Sequence, residues 1–192
     1  MSEHGFHVHG PHDHELEHAV HDAGKDRFTG TIAVVTAILA TVGALFSYMG
    51  GATQANAGLY KNNAAIKKTE ASNQWNYYQA KSSKQNLAEL AVALLPDDRK
   101  AQYQQEVERY KKEKDVIKGD AEKLEAQSKS WDDQSDAQMH LHHRWAQATT
   151  ALQVSIALAA MALLTRRKWL EWGMFGVASI GIVLGGLALA HV

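Results

Sequence analysis

Residues 87–103 read LAELAVALLPDDRKAQY, and Pro96 decides what the chain around them can be. A proline inside a helix lacks the amide donor and clashes with the preceding turn, so a helix arriving from Leu87 ends there. Asp97 is a residue type that caps the helix that follows. No helix breaker lies between Gly58 and Pro96. The reading is therefore two long helical arms that fold back on each other at residues 95–98, each roughly 60–70 Å long at 1.5 Å per residue.

The second arm has a clean register. Tyr103, Tyr110, Ile117, Leu124, Trp131, Gln138 and Trp145 fall seven apart, and Val107, Lys114, Ala121, Ser128, Ser135 and His142 fall four residues after the first six. Such spacing is the a/d seam of a coiled-coil-like pairing. On the first arm the expected seam is Ala52, Leu59, Ile66, Asn73, Ala80, Leu87 and Leu94, with Ala55, Asn62, Thr69, Asn76, Ser83 and Leu90 between them. Antiparallel pairing then puts residues near 75 opposite residues near 117, and Trp131 opposite Leu59 and Tyr60. The polar members of the first seam, with Asn63, Gln74 and Gln79 beside them, have two readings. They fix register at a cost in stability, or they face a solvated side or a water-filled centre between copies.

Outward from the arms the chain becomes apolar. Residues 30–52 (GTIAVVTAILATVGALFSYMGGA) and 145–165 (WAQATTALQVSIALAAMALLT) carry no charge, and 169–191 (WLEWGMFGVASIGIVLGGLALAH) carries one acid near its start. The mean hydropathy of −0.33 suits a soluble chain, but the apolar residues are clustered. About 20 such residues cross a bilayer core. The alternative is three helices buried in a soluble core. The first run lies too far from Met1, and follows too acidic a segment, to be a cleaved signal peptide. The expected organisation is a His-rich tail (1–24), a first span (25–52), an extramembrane hairpin (53–144), a second span (145–165), a basic turn (166–168) and a third span (169–192). Twenty Lys+Arg against 21 Asp+Glu leave no basic footprint for nucleic acid. The absence of cysteine removes disulfides and thiolate metal sites.

Residues 70–89, EASNQWNYYQAKSSKQNLAE, resemble the signature motif of a bacterial membrane family known as domain of unknown function 4337. The chain resembles its members from about residue 13 to 190, including a first span that closes on Gly50-Gly51, a charged helix and a terminal pair of spans. The resemblance implies the all-α, three-span architecture and implies no activity.

Lys25 and Arg27 flank the first span, and Arg166, Arg167 and Lys168 fill the turn between the second and third. The positive-inside bias places both sides in the cytoplasm of a bacterial inner membrane, with the hairpin and the C-terminus in the periplasm. Lys61, Lys67, Lys68 and Arg144 argue the other way, although long loops translocate with little regard to charge.

Several residue groups are candidates for chemistry. Seven of the first 21 residues are histidine. If DHELEHAVHDAG is helical, His14, His18 and His21 share one face, a spacing that suits Zn, Ni or Cu. The plain alternative is a solvated tail. Asp136, His140 and His143 repeat that spacing near the second span, where an interfacial helix end is the alternative. Trp75, Tyr77, Tyr78 and Trp131 mark either a contact surface or packing between the two arms. Gly181 and Gly185 form GxxxG, a surface for close helix approach and contact between copies. Thr149 and Gln153 are interhelical hydrogen-bond formers or the lining of a narrow pore. No acid or base sits at mid-span, and no nucleotide loop or catalytic triad stands out.

Together these readings describe an oligomeric membrane protein that is not an enzyme, with lipid as one partner and further copies of itself as another. Its role is a scaffold presenting a helical rod. The alternative is a channel or transport accessory, responsive to metal through the tail.

Overall fold

The computed structural model describes residues 13–190, with side chains from Arg27 onward. Three helices account for them: α1 (Asp13–Leu94), α2 (Asp97–Thr165) and α3 (Lys168–Leu189), with no strand among the described residues. Only Leu95 and Pro96 separate α1 from α2. The Leu95 amide still donates to the Ala91 carbonyl at 3.0 Å, and the Arg99 amide starts the next helix on the Pro96 carbonyl at 3.1 Å. Asp97 and Asp98 occupy the first turn of α2, where negative charge offsets the helix dipole. Lys100 bonds Asp97 at 2.7 Å.

Two compact units divide the chain: residues 51–142 form one, and residues up to 50 together with those from 143 form the other. In the 51–142 unit, α1 meets α2 so that residue numbers rise in one as they fall in the other. Ser135 Oγ donates to the Ala57 carbonyl at 2.8 Å, and Ser128 Oγ to the Ala64 carbonyl at 2.8 Å. The Tyr60 and Trp131 rings lie 5.5 Å apart. On α2 the buried or half-buried positions are those expected: Tyr103, Tyr110, Ile117, Leu124 and Trp131, with Val107, Lys114, Ala121, Ser128 and Ser135 between them.

On α1 the buried row differs from the expected one. Ala57, Ala64, Ala71 and Gln85 are buried with Tyr78 half-buried among them, and Thr53 and Ala88 lie on the same side. The expected row faces away: Leu59, Ile66, Leu87, Leu90 and Leu94 are 47–75% exposed. The two rows are offset by two residues, which at about 100° per residue sets them on nearly opposite sides of the helix. Distance decides between them. A serine hydroxyl on α2 reaches an α1 carbonyl only if the backbones come close, and alanine allows that where leucine holds the helices apart.

The second unit joins α1 up to Gly50, α2 from His143, and α3. Ile32, Ala159, Ala162, Leu170 and Met174 form one core cluster; Leu39, Leu152 and Ala178 form another. The Ser155 hydroxyl is fully buried and donates to the Met174 carbonyl at 2.8 Å, tying α2 to α3. The Phe46 and Trp145 rings pack at 5.2 Å. Arg166 turns the chain between α2 and α3 in the left-handed region, φ 52°, while its amide still bonds the Ala162 carbonyl at 2.8 Å.

Both glycines of the GxxxG pattern are used within the chain. A Cβ at Gly181 would lie 2.9 Å from Leu152 Cδ2 and 3.2 Å from the Ala148 carbonyl, and one at Gly185 would press into the Phe46 ring. Their expected role at a contact between copies therefore gives way to close approach of α3 to α2 and to α1. Gly186, one residue on, faces open space. Gly181→Leu should destabilise the purified protein by about 1–3 kcal/mol, the usual cost of overpacking, with Gly186→Leu near neutral. Thermal unfolding in detergent, followed by circular dichroism, is the measurement.

Candidate interaction surface

The motif residues lie midway along the 51–142 unit, where alanine gives way to larger side chains. Tyr78, Lys81 and Gln85 of α1 face Tyr110, Glu113 and Lys114 of α2. Lys81 Nζ pairs with Glu113 at 2.5 Å and lies 5.1 Å from the Tyr77 ring centroid and 5.5 Å from that of Tyr110. Lys114 Nζ sits 5.0 Å from the Tyr78 ring centroid and donates to Gln85 Oε1 at 3.1 Å. Arg109 covers the other reach of Tyr110 at 4.9 Å and approaches Glu113 at 3.5 Å. Ammonium and guanidinium groups over aromatic faces are held by the ring quadrupole, so the aromatic residues stabilise the cations as well as packing.

Trp75 belongs to the same motif. Its indole Nε1 donates to Glu125 at 2.8 Å, and its ring meets Tyr78 edge-on at 5.7 Å. It helps line a shallow groove of about 680 Å³ with Lys61, Lys68, Glu125, Ser128 and Asp132. Lys61 is bound to Asp132 at 2.5 Å. The groove therefore mixes both signs of charge and favours neither an anion nor a cation. The aromatic residues thus divide. Trp75, Tyr78 and Trp131 are half-buried and engage α2 or its neighbours, while Tyr77 stays 50% exposed on the outer side of α1.

Electrostatics follow the ion pairs. The hydrogen bond from Lys81, then its charge, holds the Glu113 carboxyl below the ordinary carboxylate range. The bond to Glu113, then that to Tyr77, raises Lys81. Asp132 raises Lys61 in the same way.

The other candidates are placed less closely together. Among the described residues no three His, Asp or Glu side chains converge on one cation position, Asp136, His140 and His143 included. The physical reason is the helix itself. Positions i and i+7 are separated by about 10 Å of rise, whereas a metal needs each donor within about 2 Å. A second helix would have to supply the missing ligands. His14, His18 and His21 fall in the first turns of α1, but their side chains lie outside the described residues. In the other unit, the Thr149 hydroxyl is buried without a hydrogen-bond partner and Gln153 is exposed, so neither links two helices of the chain.

The outer row of α1 is the feature that sequence reasoning misassigned rather than missed. Its heptad spacing was legible, but the row is exposed in place of buried.

A family model described as "Domain of unknown function (DUF4337)" matches residues 28–191. No curated protein and no solved structure matches the chain.

The sign of the pH dependence follows from the Glu113 shift. Its lowered folded pKa contributes stability that is complete above the unfolded value of about 4.3 and is lost as pH falls through the folded value. Glu113→Gln should therefore unfold at a lower temperature than the unaltered protein near pH 7. It should also lose less of its melting temperature on moving from about pH 6 to about pH 3. Circular dichroism melts at several pH values measure both.

Proposed function

From the premise that the chain belongs to the DUF4337 family, we propose that it is a non-enzymatic scaffold of the bacterial inner membrane, anchored by three spans and presenting α1 and α2 as an extramembrane antiparallel hairpin. Burial is the observation that carries this reading. All three helices are long and apolar enough to cross a membrane, yet only 11% of the most apolar stretch of α1, and 28% of those of α2 and α3, is buried within the chain. The large side chains point outward: Val34, Ile38, Leu45, Val154, Leu164 and Ile182 are all 47% exposed or more. Water would penalise such a surface, and lipid would not. Ala148, Ala159, Ala162, Ala178, Gly181 and Gly185 are among the inward-facing residues, as close helix packing in a bilayer requires.

Trp169 and Trp172 are exposed beside the Arg166–Lys168 turn, an arrangement suited to a membrane–water interface. That short basic turn, with Lys25 and Arg27, supports a cytoplasmic side for these ends and a periplasmic one for the hairpin. The polar, ion-paired surface of residues 51–142 suits contact with other proteins or other copies, and no carboxylate or base at mid-span supplies an ion relay.

A second reading rests on Thr149 and Gln153. A buried hydroxyl without a partner and an exposed amide on an apolar helix both call for polar company, which water along an axis between copies would supply. The chain would then be a channel or transport accessory, with the His-rich tail as a Zn, Ni or Cu sensor.

Asp97→Cys separates the topologies, because the natural chain has no cysteine to interfere. In intact cells with a permeabilised outer membrane, an impermeant maleimide should label it; protection would reverse the orientation. Purified protein in planar bilayers should pass no current. A conductance that Gln153→Leu abolishes would replace the scaffold by the channel.

A further inference from the structure

The α1 helix carries two heptad rows, and only one is occupied by its own chain. The occupied row is the alanine side that meets Ser128 and Ser135. The other runs from Leu59 through Asn62, Ile66, Thr69, Asn73, Asn76, Ala80, Ser83, Leu87 and Leu90 to Leu94, and every one of these residues is exposed. An a/d pattern held over five heptads is a specification for a partner helix. From this row we infer that α1 pairs in parallel and in register with α1 of a second copy, through the face that holds Leu59, Ile66, Asn73, Leu87 and Leu94.

Three observations select a second copy over another occupant. The first is the asparagines. In a parallel, in-register pair each layer brings identical residues together. An amide is both donor and acceptor, so Asn62, Asn73 and Asn76 can each bond their own counterpart, whereas against an apolar surface they would be left unpaired. A lipid surface or an unrelated apolar groove gives them no such partner.

The second is charge. The positions that flank the row are Gly58, Ala65, Ser72, Gln79, Asn86 and Ala93 on one side and Asn63, Glu70, Tyr77, Lys84 and Ala91 on the other. Glu70 and Lys84 are the only charged residues among them. In a parallel pair Glu70 comes beside Ala65 of the other copy and Lys84 beside Gln79, so no like charges meet. Glu70 is already satisfied by Lys67 at 2.8 Å. The outward side of α2, by contrast, carries Glu108, Asp115, Glu122, Lys129 and Asp136, and no apolar stripe competes there.

The third is size. Residues 59–94 form a strip about 50 Å long and, with side chains, about 10 Å wide, or roughly 500 Å² on each copy. Two copies then cover about 1,000 Å², the lower bound for a specific interface. Such a pairing is stable where a membrane already holds the copies side by side in one orientation. In this the inference rests on the membrane-anchored reading above.

Disulfide trapping tests it in the whole 192-residue chain, which has no cysteine. Ile66→Cys, Asn73→Cys and Leu87→Cys, oxidised in native membranes, should each give a covalent dimer, since in-register seam positions fall within the Cα separation of about 4–7 Å that a disulfide needs. Asp115→Cys, on the outward side of α2, should stay monomeric. Co-expressed Ile66→Cys and Leu87→Cys chains should yield the two like dimers and no mixed one; a dominant mixed dimer would mean antiparallel pairing and overturn the register.

Leu87→Glu should raise the dissociation constant in detergent by about a hundredfold by setting like charges face to face. Its melting temperature should stay unchanged at high dilution, because Leu87 is 67% exposed in the single chain. Assembled protein in which none of the three cysteines on α1 forms a dimer would refute this seam and leave the scaffold reading standing. A chain that stays monomeric in native membranes would refute both the seam and the assembled scaffold.

Discussion

The close approach of α1 and α2 along Ala57, Ala64 and Ala71 is the constraint on which the 51–142 unit depends. Two serine hydroxyls span the gap and bond main-chain carbonyls at 2.8 Å, at positions seven residues apart on each helix. A carbonyl in a helix already accepts one bond from its own ladder, and its second lone pair is open only from the side. A short side chain can reach it only when nothing larger than a methyl group stands in the way. The alanines and the serines therefore require each other. Replacing one of the alanines by a large residue would separate the helices and take a serine hydroxyl out of reach of its carbonyl, and an unmade bond of that kind costs about 1–3 kcal/mol.

The same rule explains why one arm could be read from sequence and the other was misread. On α2 the seam holds the bulkiest apolar residues in the segment, so hydrophobic periodicity and burial select the same row. On α1 they select different rows. Leu59, Ile66, Leu87 and Leu94 outrank Ala57, Ala64 and Ala71 on any hydrophobic scale, yet the alanines are the buried set. Periodicity ranks positions by transfer free energy. It carries no information about the width of the space the partner leaves, and a partner seam with serine in two successive heptads leaves little. The two serines at Ser128 and Ser135 were the available signal, since small polar residues at seam positions ask for small residues opposite. Pairing distance was legible all the same: the expected opposition of residues near 75 and near 117, and of Tyr60 and Trp131, follows from Pro96 alone.

Glycine in the other unit repeats the lesson. Gly181 and Gly185 were legible as points of close approach, but a GxxxG pattern does not say whose helix approaches. Leu152, Ala148 and Phe46 of the same chain fill that space. Asp136, His140 and His143 converge on no cation position for a simpler reason. Donors at i, i+4 and i+7 share a face without sharing a point, and a cation requires a point. A second element must close the site, and only tertiary structure reveals whether one does.

The cluster around Lys81 and Tyr78 has a physical role in register. Alanine against serine repeats every seven residues, and such a repeat tolerates a slip of one heptad almost without penalty. The cluster around Lys81 does not. Shifted by seven residues, Glu113 would face Ala88 or Gln74 in place of Lys81, and a half-buried carboxylate would exchange its close cation for the longer contact with Arg109 on its own helix. Lys114 would likewise exchange Tyr78 for Ala71 or Gln85. Removing one partner of a desolvated pair costs far more than the pair contributes when made, so the cluster acts against wrong registers more than in favour of the right one. Tightness comes from the small residues and uniqueness from the charged and aromatic ones. A helix pair needs both to hold a single alignment over so many turns.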